Sequence, residues 1–478
     1  MLWVYKIKRD GTLKARLCVQ GSSQRPGEDF DQTYCAAMRA TSLRFLAAVS
    51  VKLKLNMRRI DFVSAYLQGK LEPGEAVYCY MPEGYTTTDA SGRPRVLRIE
   101  KPVYGLAQAG RRWQRTIFPW LREQGFKQSQ FDPCVFIMRK HNDAAKREET
   151  ILLGVYVDDL LTCTSHDDAR SLFRSFSDNL NRDWEVEDEG EAVDLLNVQF
   201  KRTATGILLH QRSYIEKMVA RFAPDGIPLQ FQRNKPPCTS DLPEMVRAAM
   251  NEEVGDPKPN ILQNYQSLIG SLLYAATMTR PDIAYAVGML CRAMSKPNEA
   301  LLEAALHVLF YLGRHADIGL NYETDSNSME VYSDSDWAVK HSTSGYDVCW
   351  QRASINFGSK KQPCVATASC HAELIAASEA AKETVYHAGF FEEIGIPLDG
   401  PTTMHVDNQA AVDLSYNPEY HTRTKHIDRR HFYIRECVEN HSLRVQYVKS
   451  TDNLADFFTK PLPPKTFFKL RNIIMNVQ

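Results

Sequence analysis

The 478-residue sequence predicts an α+β fold in its first part and an α/β fold with a mixed sheet in its last part. Three observations predict it. The first 235 residues alternate strand-like and helix-like patterns. Residues 261–316 carry mostly helical spacing. From about 327 onward, short apolar strands end in acids and alternate with helices. The expected domains are therefore 1–235, 236–326 and 327–478.

The elements follow in order. Trp3 to Lys8 and Lys14 to Val19 flank Asp10-Gly11, which reads as a hairpin with an Asp-Gly turn. Leu43, Leu46, Ala47, Val49 and Leu53 give residues 41–53 a helical face, with Thr41-Ser42 as its N-cap. Residues 234–260 are rich in Pro, Asn, Asp and Glu and read as a linker or exposed loop. Ala300 to Leu312 is amphipathic, with Leu302, Ala305, Leu306, Leu309 and Phe310 on its apolar side. Met329 to Asp334 reads as a strand ending in an acid. A strand pair near 346–357, a helix over Ala372–Ala388 and a second acid-ended strand, Thr402 to Asp407, complete the pattern.

Composition narrows the class. Hydrophobic residues make up 44% and charged residues 24%, as in soluble globular proteins. No run resembles a membrane span or a signal peptide. Eleven cysteines occur without a CxxC pair, which argues for buried free thiols over a zinc knuckle or a disulfide framework. Formal net charge is zero, against the basic surplus usual in nucleic-acid binders. Local fields matter more than the total. His421 to Arg435 holds Arg423, Lys425, Arg429, Arg430 and Arg435 against Asp428, while Glu185, Glu187, Asp188, Glu189 and Glu191 form an acidic cluster. The basic segment reads either as a phosphate-directed patch or as a solvated face, and the acidic cluster, which offsets the total, reads as a solvated face.

The chemistry-bearing motif is Asp158-Asp159, set inside the apolar run from Ile151 to Cys163. Adjacent carboxylates in such a context are costly unless neutralised. Apolar β-formers on both sides place them at a hairpin tip, where they either hold Mg²⁺ or form a plain exposed turn. A second motif, Arg59 to Gly69, puts Asp61 at the end of a short apolar run, followed by Ser64, Ala65 and Tyr66.

Together these residues carry a resemblance. Tyr156-Val157-Asp158-Asp159, preceded by Asp61-x-x-x-Ala65-Tyr66, resembles the palm of a reverse transcriptase. The wider wording resembles the copia-type long-terminal-repeat retrotransposons. Its phrases include Val103-Tyr104-Gly105-Leu106, Gly270-Ser271-Leu272-Leu273-Tyr274, Thr279-Arg280-Pro281-Asp282-Ile283, Ser342-Thr343-Ser344-Gly345-Tyr346 and Leu454-Ala455-Asp456 with Thr459-Lys460-Pro461-Leu462. These run in family order along nearly the whole chain.

The resemblance implies polymerase palm and fingers, a helical thumb or connector, and a ribonuclease H-like domain. It implies an RNA-directed DNA polymerase that copies retrotransposon RNA and hydrolyses the RNA strand of the hybrid. Asp61 and Asp158 would be bridging metal ligands and Asp159 a weaker one. Tyr66 would lie under the nucleotide sugar; read alone it is more readily a core aromatic. Arg16 would touch the triphosphate, and Gly105 would approach the nascent base pair. In the nuclease, Asp334, Glu373, Asp407 and Asp456 would share metal ions. Glu373 is expected in the first turn of its helix, and Asp456 at the start of the last one. Singly, such acids read as caps or surface groups. Asp336 reads as structural, as do His426 and His431. The implied cofactor is Mg²⁺, two ions per site, with Mn²⁺ as substitute. Implied partners are an RNA template, a DNA primer, the RNA–DNA hybrid, deoxynucleoside triphosphates and, in a complete element, integrase and other polyprotein parts; no membrane is implied. The implied location is the cytoplasm, within a virus-like particle in a complete element, with the nucleus as second choice.

Departures keep a rival open. Gln20, Ala107, Gly110, Asn197 and His371 stand where the family usually has other residues, and the chain is expected to begin within the fingers. A decayed or domesticated copy would bind nucleic acid without catalysis. A nuclease-only chain is the second rival.

Overall fold

The computed structural model describes residues 1–7, 11–251, 257–325, 327–336, 341–366, 368–416 and 433–477. They form two compact units. One comprises residues 1–42 and 55–192; the other comprises 43–54 and 193–478.

In the first unit, β1 (Leu2–Ile7) and β2 (Leu13–Cys18) pair antiparallel as expected; Asp10 of the turn lies outside the described residues. The central sheet has six strands. In space they run β10 (Val186–Glu191), β3 (Asn56–Phe62), β9 (Asp159–Thr164), β8 (Arg147–Tyr156), β7 (Val135–Asn142), β6 (Lys127–Gln128). A separate hairpin pairs β4 (Val77–Tyr80) with β5 (Val96–Ile99). Helices α2 (Ala65–Gln68), α3 (Ala109–Glu123) and α4 (Leu172–Asp183) complete it. Helix α3 is amphipathic and buries Trp113, Ile117, Phe118 and Leu121.

Helix α1 spans Ala40–Lys52. Thr41 and Ser42 therefore lie inside it, not at its N-cap. The buried Ser42 hydroxyl donates to Asp132 at 2.6 Å, and the same carboxylate accepts from the Arg39 N–H at 3.0 Å. A distant aspartate thus performs the capping that the local sequence assigned to Thr41-Ser42. From Leu43 onward α1 belongs to the second unit. Phe45 stacks on Phe390 at 4.3 Å and meets Phe391 edge-on at 4.8 Å. The buried Arg44 guanidinium donates to the carbonyls of Thr277, Met278 and Ile355.

The second unit opens with an antiparallel sheet of β11 (Asp194–Leu195), β12 (Val198–Arg202), β13 (Gly206–His210) and β14 (Gly319–Glu323). Helices α5 (Arg212–Phe222), α6 (Leu242–Asn251), α7 (Pro259–Met278), α8 (Ala284–Cys291) and α9 (Glu299–Arg314) fill the middle. Helix α6 falls in the segment expected to be a loop. Leu242, Val246 and Ala249 give it a buried face that the surrounding Pro and Asp residues mask in composition. Helix α9 buries Leu301, Ala305, Val308, Leu309 and Leu312; Leu302, Leu306 and Phe310 are only part-buried, so the packed stripe is rotated from the expected one.

The last sheet orders as β17 (Ala353–Lys361), β16 (Thr343–Trp350), β15 (Glu330–Asp336), β18 (Thr402–Val406), β19 (Leu443–Tyr447). The first three strands are antiparallel, and β18 and β19 run parallel to β15. This is the mixed sheet the sequence predicts. Helices α10 (Ser369–Glu393), α11 (Gln409–Tyr416), α12 (Tyr433–Glu439) and α13 (Pro464–Met475) accompany it. No helix among the described residues is long and apolar enough to cross a membrane. The eleven cysteines are free; Cys134, Cys163 and Cys437 are buried, most others are part-buried, and Cys364 is exposed.

Candidate active sites

The first site is built on strand register. β3 pairs antiparallel with β9, and Asp61 stands directly opposite Asp159. Such facing residues have Cα atoms about 5 Å apart. Val157 and Asp158 form the tight turn between β8 and β9. Val157 holds a φ of 56°, a strained value for a β-branched residue. Two contacts impose it. The Trp113 indole N–H donates to the Val157 carbonyl at 2.6 Å, and the Phe62 N–H donates to the Asp158 carbonyl at 2.8 Å.

Burial, then Asp158 and Asp159, pushes the Asp61 carboxyl up to about 6. Three acids converge here and are short of positive charge. Asp159 differs from its neighbour. Arg59 Nη2 lies 2.7 Å from Asp159 Oδ1, and Arg59 Nη1 lies 3.1 Å from Glu189 on β10. Burial still pushes Asp159 up, against the pull of Arg59.

Tyr66 lies on α2, its ring 4.7 Å from that of Tyr104. Burial, then Asp158, pushes its phenol up to about 12. The Arg16 guanidinium stacks on Tyr104 at 4.9 Å, so Arg16, Tyr104 and Tyr66 form one row, and burial, then Asp158, pushes both phenols up. Behind them lie Val77, Ile99, Leu106 and Ala109. Gly105 has φ +94°, and a Cβ there would sit 1.9 Å from the Val19 carbonyl oxygen. Its missing side chain admits the chain's own β2 end, a role the sequence did not signal.

The second site is a sheet edge. Asp334 lies on β15 and is 2% exposed. Asp407 directly follows β18, the parallel neighbour of β15. Asp456 lies in a 3₁₀ segment, Leu454–Phe458, and not at the start of the last helix. Pro461 and Pro463 separate the two, since proline cannot continue a helix. Asn453 fixes the segment by donating to the Ser333 carbonyl at 3.0 Å. Gly345, opposite Asp334, admits it: a Cβ would meet Thr459 Cγ2 at 2.7 Å and the Ala455 carbonyl at 2.9 Å. Glu373 sits one turn into α10, because that helix starts at Ser369, ahead of the expected Ala372.

Oxygens from Asp334, Asp407 and Asp456 all lie within 4.8 Å of one another. Burial, then Asp334, pushes Asp456 up to about 7. Burial, then Asp334 and Asp407, pushes Glu373 up to about 9. Glu373 Oε2 is buried without a hydrogen-bond partner. An all-oxygen set with one unpartnered carboxylate oxygen fits a hard divalent cation. Two groups went unpredicted. The Thr459 hydroxyl donates to Asp334, and Lys460 Nζ lies 2.7 Å from Asp456 and 3.7 Å from Asp334. Asp336 accepts from the Thr343 N–H, in line with a structural role. The basic residues Arg423, Lys425, Arg429 and Arg430, with His426 and His431, lie outside the described residues.

Residues 1–226 match the model of the family described as reverse transcriptase (RNA-dependent DNA polymerase). The Pol polyprotein of transposon TNT 1-94 from Nicotiana tabacum is 32% identical, over 99% of this chain and 35% of the relative. That of transposon RE1 from Arabidopsis thaliana is 34% identical, over 97% and 31%. Over nearly its whole length the chain is similar to these retrotransposon Pol polyproteins, of the copia type. It spans about a third of the length of these curated relatives. Among solved structures, a foamy viral protease-reverse transcriptase in complex with RNA/DNA hybrid aligns at TM-score 0.45 and 12% identity, over 96% of this chain and 51% of that one.

The geometry accounts for two of the departures from the family pattern. Asn197 holds φ 55°, a left-handed conformation that asparagine tolerates best after glycine. At Gly110 a Cβ would meet Cys35 Sγ at 2.8 Å, so the thiol fills the space a side chain would occupy.

Proposed function

We propose that the chain is an RNA-directed DNA polymerase joined to a ribonuclease H, acting on an RNA template, a DNA primer and their hybrid. The functional partition we favour is polymerase over 1–235, connector over 236–326 and nuclease over 327–478. The observation that carries this is the pairing of Asp61 with the Asp158-Asp159 turn, repeated in kind by Asp334, Asp407 and Asp456.

Asp61 and Asp158 would hold Mg²⁺ in the polymerase; Asp334, Asp407, Asp456 and Glu373 would hold it in the nuclease. The ions would neutralise developing charge on the attacking and leaving oxygens during nucleotidyl transfer or hydrolysis. The protein's own groups do the rest. Tyr66 and Tyr104 offer apolar ring surface beside Asp158, where a deoxyribose packs and a ribose 2′-hydroxyl clashes. Arg16, held over Tyr104, offers a guanidinium to a triphosphate. Arg59 holds Asp159 in place and keeps it from competing as a third ligand.

The test is primer extension on an RNA template, with cleavage of a labelled RNA–DNA hybrid run beside it. Asp158→Asn should abolish extension and leave cleavage intact; Asp334→Asn should do the reverse. Extension indifferent to Asp158→Asn refutes the polymerase reading.

A further inference from the structure

Four carboxyl groups gather at the β15–β18 edge, and one ammonium reaches into them. Lys460 Nζ contacts Asp456 at 2.7 Å and Asp334 at 3.7 Å, two of the three residues whose oxygens converge. Its neighbour Thr459 grips the same Asp334 oxygen. Consecutive residues of one chain segment thus clamp the acids before any metal arrives.

We propose that Lys460 is the resident counter-ion of this cluster and that a divalent cation must displace it. This rests on the nuclease reading above. An ammonium touches a carboxylate oxygen at 2.7 Å here, whereas Mg²⁺ requires oxygens at about 2.0–2.1 Å. Both cannot use the same face of Asp456, and two positive centres a few ångströms apart repel in a poorly screened site. Lys460 has somewhere to go: its side chain is 40% exposed, while that of Asp334 is 3% exposed. The acid stays and the lysine swings outward. Lys460 is therefore a positioning residue that sets the threshold for metal occupancy and keeps the metal-free edge intact.

The experiment uses the full chain carrying Asp61→Asn and Asp158→Asn, which silences the first cluster. Mn²⁺ alone is titrated, with free Mn²⁺ read by electron paramagnetic resonance. Thermal unfolding is followed in parallel. Lys460→Met should bind Mn²⁺ about ten-fold more tightly than the parent, and its metal-free form should melt lower but gain more from added Mn²⁺. Lys460→Arg should stay near the parent, because it restores the charge. If Lys460→Met folds poorly, Lys460→Gln serves in its place. Unchanged or weaker binding in these neutral variants overturns the proposal. If the parent and its Asp334→Asn derivative bind Mn²⁺ alike, the cluster is no metal site, and the nuclease reading falls together with the proposal.

Discussion

Arg59 closes on Asp159 through two nitrogens, Nε at 2.8 Å and Nη2 at 2.7 Å from the same carboxylate oxygen. The two adjacent aspartates of the turn are therefore unequal. Asp159, opposite Asp61 in the strand register, has a built-in cation, whereas Asp158 sits in the turn and raises Asp61 and Tyr66.

That inequality predicts a graded response. Asp61→Asn and Asp158→Asn should each lower the extension rate by on the order of a thousand-fold. Asp159→Asn should cost about ten-fold, because it loosens Arg59 without removing a principal ligand. Single-nucleotide incorporation measures all three. Equal losses would show that Asp159 is a full ligand.

Burial, then the neighbouring Asp158 and Asp159, pushes the Asp61 carboxyl up to about 6 in the folded chain against 3.8 in an exposed one. A raised acid stabilises the fold when protonated. The contribution is full below pH 3.8 and is lost as pH rises through about 6. Metal needs the ionised form, so the Mg²⁺ concentration for half-maximal extension should climb as pH falls below about 6, approaching ten-fold per unit. A Mg²⁺ titration at several pH values reads this; a flat response from pH 5 to 7 would refute it.

Arg280 and Asp282 form an ion pair with both side chains fully buried, joined at 2.7 Å. The Tyr311 hydroxyl donates to the same carboxylate at 2.7 Å. Arg280→Met would strand Asp282 and should destabilise the second unit by about 3–5 kcal/mol. Asp282→Asn should cost a comparable amount, since it leaves the buried Arg280 charge without a counter-charge and turns an amide NH₂ toward one of its donors. Denaturant unfolding measures both.

Gly105→Ala should destabilise the first unit by about 3 kcal/mol, since its φ is left-handed and the added methyl meets the Val19 carbonyl. The loss should appear as faster proteolysis near β2, with hybrid cleavage unchanged.

Much of this was legible in the sequence. Asp158 and Asp159 announce themselves as adjacent acids inside an apolar run, and Asp61, Asp334 and Asp407 lie at or near the ends of strands, which collect at sheet edges. Local pattern also marked α1 and the β1–β2 hairpin. What escaped depends on distant partners. Asp132 caps α1 from 90 residues away, so Thr41-Ser42 looked like the cap. Helix α6 hid among prolines because its three buried residues are too few to dominate composition. Lys460 reads as one more surface lysine until the chain folds and Asp334 arrives beside Asp456.

Helix α1 leaves one further mark. Phe45 completes an aromatic nest whose other members lie some 300 residues downstream. The latter half of the polypeptide, produced alone, would leave Phe390 and Phe391 wet and prone to clump. A stretch read early by the ribosome waits until Phe390 and Phe391 have been made to find its seat, so cutting the chain at its midpoint should yield an insoluble downstream piece, and supplying residues 40–54 in trans should rescue it.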